Sequence, residues 1–545
     1  MGMENTAHMN WYLVWIIGFL LLLLVISIVA TTRVKSADGY VMADFKLGFF
    51  PICGSVIATV TGSAALIGGA GKGFEMGMSY SITGVAHASF TIAAVLLLGP
   101  VIRRLRLYTV PELFARRFGK VAALIPALIV GLLYMTPTFG MQLVGMGAIL
   151  ASITDLTVFW GILAGFVVTL AFTLVGGMPS VAWTDAIQTF VILAGVIITL
   201  IMGINYVGGI DTIIENTPAD HFSFTSIGGI ELLNWFLVFG PFYIVWQTTW
   251  QRLTAAKSDR VGIWAVVIGF AVSVLIGAAA IVIGIAALQM FPAGTAPDLI
   301  YTSFIAEIFH GSIGGLLMVS LLAALLTGAT SFLLSGAINI SKDIYQGWIN
   351  PQAKDDQILK VSRISVAAMA VIGLGIALVI KDIIAIYQVA LSFTATTLVM
   401  PVLATMFWKR ATKRGVIWSM IAAMAVSLLW RFGGQPFGIH EILPGLITSA
   451  IVLIAVSLAT RHSDDEVVVA YYHAYRAGEL RTHGVDEEPG AAGDVPAGTS
   501  TAAAKPAGES AGAVATPEAE VTGRREPAPV TRAASPAGQR RPQAN

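Results

Sequence analysis

The residues best placed to do chemistry in this sequence are uncharged oxygens. Pro51–Gly77, PICGSVIATVTGSAALIGGAGKGFEMG, is apolar enough to cross a bilayer. It nevertheless carries glycine at 54, 62, 68, 69, 71 and 73, with hydroxyls at Thr59, Thr61 and Ser63. A glycine in a helix interior costs roughly 1 kcal/mol relative to alanine, so this density argues against a plain helix. Where a helix breaks inside hydrocarbon, its freed carbonyls must find protein partners or line a polar cavity. A discontinuous helix with unwound carbonyls aimed at an ion or solute meets that demand, and close packing through small residues is the competing explanation. Far along the chain, Ala324, Thr327, Thr330 and Ser331 fall on one helical face. Hydroxyl and carbonyl oxygens without net charge suit a weakly held alkali cation better than a trapped divalent one. The same hydroxyls can instead bond back to the preceding turn. Trp183-Thr184-Asp185 puts a carboxylate at the start of another apolar run, a functional candidate by default and a helix cap otherwise.

Composition says what must position them. Of 545 residues, 56% are hydrophobic and 12% charged, where soluble proteins carry about 25% charged. Mean hydropathy is +0.80. The net charge of +1 leaves no basic stripe for nucleic acid, and the single cysteine, Cys53, permits no intramolecular disulfide. This is the composition of an all-α integral membrane protein, with the lipid bilayer as its surroundings.

Apolar runs of spanning length lie near 11–30, 51–75, 80–102, 121–150, 157–176, 181–206, 232–250, 261–290, 311–340, 361–380, 383–407, 415–431 and 442–460, about thirteen in all. The first is not a signal peptide, since the polar stretch 1–10 before it has no Lys or Arg. Basic residues cluster in alternate loops: Arg103, Arg104 and Arg106, then Arg252, Lys257 and Arg260, then Lys409, Arg410, Lys413 and Arg414. Residues 207–228, in an opposite loop, hold Asp211, Glu215 and Asp220 and no Lys or Arg. The positive-inside rule puts the N-terminus outside and the C-terminus in the cytoplasm, and an odd span count agrees. The expectation is a multi-pass plasma-membrane protein with residues 1–10 as an outer tail and 11–460 as the membrane domain. Arg461–Leu480 still carries apolar residues, enough for a short surface helix. From about Thr482 the chain turns to Ala, Pro, Gly and Glu, which cannot bury a core, so 461–545 is expected to be a largely disordered cytoplasmic tail.

The seventh run, NWFLVFGPFYIVWQTTWQR, has Gly240-Pro241 at its middle. Proline removes a backbone donor and clashes with the carbonyl four residues back, so this helix must also break. Interruptions in spans 2 and 7, five apart, point to a transporter built from two inverted repeats, about 48–207 and 229–407. One helix leads and two trail.

GGMPSVAWTDAIQ, Gly176–Gln188, resembles the signature of the sodium/solute symporter family, whose members carry proline, pantothenate, sugars and choline. The likeness runs over roughly residues 40–460, through YTVPELFARRFG, WQRLTAAKS, SKDIYQ and FWKRATKRG. It implies the leucine-transporter type of fold, a 5+5 inverted repeat, sodium-driven uptake and alternating access. The family's sodium site maps onto carbonyls of Ala58, Thr61 and Ala324 and the hydroxyl of Thr327. Its second hydroxyl lands on Gly328, which has no side-chain oxygen, so the resemblance implies a weakened sodium site and leaves proton coupling or sodium independence as an alternative. Asp185 matches an aspartate associated with ion binding.

For substrate, the resemblance places Phe239, Tyr243 and Gln388 at the solute, with Trp246 one turn on. The polar residues that hold sugar in relatives are replaced by Val60, Ala64 and Ala65, which disfavours a sugar. Clustered aromatics can hold a quaternary ammonium by cation–π attraction, or simply pack. An amino acid, a carboxylate or a quaternary ammonium compound is the expected cargo, Na⁺ the coupling ion, and no organic cofactor or nucleic acid is expected. The oligomeric state is open, a monomer included. GAGKG at Gly69–Gly73 lacks the Ser/Thr and the preceding strand of a phosphate loop, and His440-Glu441 lacks a zinc site's second histidine. Neither an enzyme nor a transporter-like sensor with a signalling domain fits as well as a transporter.

Overall fold

The computed structural model describes residues 2–31, 42–175, 178–380 and 382–461, and among them it is helical, with a lone parallel bridge between Leu47 and Ala256. Residues 462–545, where the tail is expected, lie outside the described residues. Helix α1 (Gly2–Thr31) takes in the polar stretch before the first span. The second span divides into α2 (Phe49–Val60) and α3 (Gly69–Met76), joined through Thr61, Gly62 and a wide turn at Ala64–Gly68. Span 3 is α4 (Ile82–Arg104), followed by the short α5 (Val110–Phe118). Span 4 runs as α6 (Lys120–Leu128), a wide turn at Ile129–Met135, and α7 (Thr136–Ile153). Pro137 cannot donate there, and the Thr136 hydroxyl bonds the Gly131 carbonyl at 2.9 Å.

Then come α8 (Val158–Val175), α9 (Met178–Tyr206) and a short helix, α10 (Gly209–Asn216). Span 7 divides as expected, into α11 (Gly229–Phe239) and α12 (Gln247–Ala255), with a tight turn at Pro241–Ile244 between them. The rest are α13 (Asp259–Ala287), short α14 (Ile300–Ile308), α15 (Gly311–Ile338), α16 (Asp355–Val379), α17 (Ile383–Phe407), α18 (Lys413–Phe432) and α19 (Ile442–Ala459). Among the described residues, ten helical stretches are long and apolar enough to cross a membrane, with shorter apolar helices at Trp11–Ile26, Phe49–Val60 and Val158–Leu174.

Helix α15 is almost wholly enclosed, whereas α18 and α19 are mostly exposed and pack on one another at the periphery. The enclosed face of a membrane helix is where polar groups are tolerated, and α15 carries Thr327, Thr330, Ser331 and Ser335 there, all buried. Small residues bring the broken helix close to its neighbours. A Cβ on Gly54 would lie 2.6 Å from the Ala186 Cα in α9, and one on Gly284 of α13 would lie 2.0 Å from the Ala70 carbonyl oxygen. The broken span is therefore pressed between α9, α13 and α15, which is where the candidate ligands converge.

Candidate ion and solute site

Helix α2 ends because Thr61 leaves helical geometry, at φ −86° and ψ 36°. Its hydroxyl donates to the Ile57 carbonyl at 2.6 Å, and Ala58 is fully buried beside it. Facing them, Thr59 and Ser331 hydroxyls are 3.5 Å apart, which brings α2 and α15 together at this depth. The Thr327 hydroxyl is 2.9 Å from the Ala323 carbonyl and 2.5 Å from Gln188 Oε1 on α9. It has one proton for two acceptors, so an oxygen lone pair is left facing oxygen there. Back-bonded hydroxyls keep their lone pairs, so bonding to the preceding turn does not remove them as ligands.

Asp185 is not a simple cap. Its carboxylate lies in the interior, 1% exposed, where Oδ2 accepts from Ser55 Oγ at 2.6 Å. Its Oδ1 is buried without a hydrogen-bond partner. Arg252, on α12 and 2% exposed, sits 3.8 Å from Oδ2 and donates to Ser55 Oγ at 3.0 Å and Ser331 Oγ at 2.9 Å. This guanidinium ties both broken spans to α15. The sequence reading placed Arg252 among the loop cations; the structure buries it.

These residues fit a sodium ion. Carbonyls at Ala58, Thr61 and Ala324 and the hydroxyl of Thr327 are neutral oxygens, the donor type that suits an alkali cation, and Asp185 Oδ1 is a buried acceptor nearby. Among the described residues, no cluster of three His, Cys, Asp or Glu could hold a metal ion. Gly328 lies in the same face, and the place of its side chain is filled by a neighbour: a Cβ there would come 2.8 Å from Gln142 Nε2.

Beside the break lies a partly open recess with a cavity volume of about 80 Å³. Phe239 and Tyr387 line it, with Tyr80, His87, Ala64 and Ala65. Phe239 stacks on Trp235 with centroids 5.5 Å apart and meets Tyr387 edge-on at 5.6 Å. Tyr243 stands just behind, its hydroxyl 2.9 Å from that of Tyr387 and its ring 4.5 Å from His87. Trp246, against Tyr243 at 5.2 Å, faces a smaller cavity at the break. Gln388 is half-buried and lines neither cavity; Tyr387, one position earlier, lines both. No Asp, Glu, Lys or Arg lines the recess, and His87 Nε2 is buried without a partner.

Toward the basic loops the bundle is sealed by amides. Gln247 Oε1 accepts from the Val110 N–H at 3.2 Å, and its Nε2 donates to Asn339 Oδ1 at 2.5 Å. Gln251 accepts from Ser335 at 2.6 Å and donates to the Tyr108 carbonyl at 3.3 Å. Arg103 and Arg104 both pair with Asp259, at 3.0 and 2.9 Å.

Comparison with known proteins bears on the family and the fold. The chain is 26% identical over 505 residues to a sodium/proline symporter of Haemophilus influenzae, covering 86% of this chain and 97% of the relative. It is 25% identical over 479 residues to a sodium/glucose cotransporter of Vibrio parahaemolyticus, covering 79% and 86%. A substrate-bound, outward-open Na⁺-coupled sialic acid symporter has a similar fold, with a TM-score of 0.72 at 18% identity over 83% of this chain and 99% of that one. Mhp1, a nucleobase-cation-symport-1 family transporter solved closed with bromovinylhydantoin bound, superposes with a TM-score of 0.55 at 16% identity, over 79% and 98%. Residues 40–423 match the sequence profile of the sodium:solute symporter family, and the chain belongs to that family, as a sodium-coupled symporter of a small organic solute.

Proposed function

We propose that the chain carries a small solute bearing an ammonium group into the cell, by alternating access, with one sodium ion held between α2 and α15. The reading rests on one observation: a recess walled by aromatic rings and free of charged side chains opens beside a break lined with neutral oxygens. Ring faces of Tyr80, Phe239 and Tyr387 attract an ammonium without needing a carboxylate. The first helical turn after the break, at Ala64 and Ala65, lines the same recess, and a half-helix start suits a carboxylate group. A zwitterion of proline's size meets both features, and sodium/proline symporters are among the relatives.

Ala58, Thr61, Ala324 and Thr327 hold the ion in this reading. Asp185 and Gln188 stand next to it, and Gly328 contributes no side-chain oxygen. Phe239, Tyr243 and Trp246 form the solute wall, with Gln388 outside it. The N-terminus lies outside the plasma membrane and the C-terminus in the cytoplasm, in keeping with the basic loops. The recess touches the start of α4 and the far end of α13, away from those loops, so it faces outward while the amide seal closes the inner side. The test is uptake of labelled L-proline into proteoliposomes under an inward sodium gradient, with glycine betaine, choline and pyruvate as competitors. Sodium-stimulated uptake blocked by the ammonium compounds supports the reading. Competition by pyruvate alone, or uptake driven by a proton gradient without sodium, overturns it.

A further inference from the structure

The break in span 2 frees the Ser63 N–H, and the group that receives it comes from span 4: Gln142 Oε1, at 2.9 Å. Gln142 is 1% exposed. Its carboxamide occupies a notch made by two glycines, one in the break and one on α15. A Cβ on Gly62 would lie 2.7 Å from Gln142 Nε2, and one on Gly328 of α15 would lie 2.8 Å from the same atom. Neither position has room for a side chain while the amide is there. Gln142 also borders the small cavity at the break, alongside Thr59 and Trp246, and Val60, Ala64 and Tyr387 line both that cavity and the solute recess. The amide thus stands between the solute, the break and α15. Its oxygen uses one of two lone pairs on Ser63, and the break cannot move against α15 without moving the amide.

We propose that Gln142 is the positioning residue of the ion site: its carboxamide wedges the break of α2–α3 against α15 at Gly328 and so sets the sodium affinity between them. The inference rests on the reading that sodium sits between α2 and α15. It also reverses the expectation for Gly328. A serine there adds its atoms where the amide already is, so it disturbs the site instead of completing it.

The test is the melting temperature of the purified full chain in NaCl against KCl at constant ionic strength, for Gln142→Ala, Gln142→Glu, Gly328→Ser and the pair Gln142→Ala/Gly328→Ser. Gln142→Ala is expected to raise the sodium concentration for half-maximal stabilisation roughly tenfold, since the buried Ser63 N–H loses its acceptor and the break loses its wedge. Gln142→Glu keeps the acceptor for Ser63 and should retain or tighten sodium binding. Gly328→Ser alone should weaken it, and removing the amide in the pair should recover part of that loss. Equal falls in melting temperature in both salts, with the sodium midpoint unchanged, reduce Gln142 to packing. Independent, multiplying effects at 142 and 328 also overturn the wedge. A wild-type protein that sodium does not stabilise ends the sodium reading instead. In that case the pair still decides whether the amide couples the two helices, by non-additive melting in KCl alone, and additive melting rejects it.

Discussion

Replacing Thr327 by valine isolates one oxygen of the proposed sodium site. Valine matches threonine in shape, so the buried volume on α15 is preserved and only the hydroxyl is lost. Two effects follow. First, the ion loses a ligand: an interaction with a charged group contributes about 1.5–3 kcal/mol, which is roughly 10- to 150-fold in affinity. Second, Gln188 Oε1 loses its 2.5 Å donor, and an unsatisfied buried acceptor costs about 1–3 kcal/mol of stability whether or not sodium is bound. The two separate by salt. The stability loss appears equally in NaCl and KCl, whereas the affinity loss moves only the sodium midpoint. Thr327→Ser retains the oxygen and should restore most of the sodium dependence. The assay is initial uptake into proteoliposomes against external sodium at fixed pH. If Thr327→Val transports with an unchanged sodium midpoint, Thr327 is not a ligand and the site between α2 and α15 is misplaced.

Asp185→Asn leaves the Arg252 guanidinium buried without its partner and should cost about 3–5 kcal/mol, with Asp185→Asn/Arg252→Gln less damaging than the sum of the singles in thermal melts. His87→Ala should raise the solute concentration for half-maximal uptake several-fold with the sodium midpoint unchanged, since His87 lines the recess and lies apart from the ion-site residues; a shift in the sodium midpoint alone argues against that placement. In the turn between α13 and α14, burial raises the Asp298 carboxyl from 3.8 to about 6, against the N–H bond from Ile383 that lowers it. Its contribution to stability is therefore complete below pH 4 and lost as pH rises through 6, and Asp298→Asn should flatten the melting temperature across that window. A slope unchanged in the variant assigns it to another group. Tyr387→Phe removes the 2.9 Å contact with Tyr243 and should weaken solute binding without abolishing transport, read from uptake against solute concentration.

The membrane class, the spans and both interruptions were legible along the chain, because each follows from local chemistry. Hydrocarbon admits only long apolar helices, glycine clusters weaken them, and the proline at 241 cannot continue one. Ala58, Thr61, Ala324 and Thr327 came from matching motifs, and the structure does bring α2 and α15 together, through Thr59 and Ser331. The environment of each polar group was decided only in three dimensions. Arg252 sits five residues before the polar run Lys257–Arg260 and reads as another surface cation; because α12 resumes inside the bundle after the break, its side chain is turned onto Ser55, Asp185 and Ser331. His87 and Gln142 lie in otherwise apolar runs that give no local sign of which face is enclosed. Gly328 looked like a missing ligand, since a sequence shows the absent hydroxyl but not the amide from another helix that fills its place. Periodicity and composition act through neighbours in the chain, whereas a site assembled from α2, α7, α9, α12 and α15 exists only once those helices have packed.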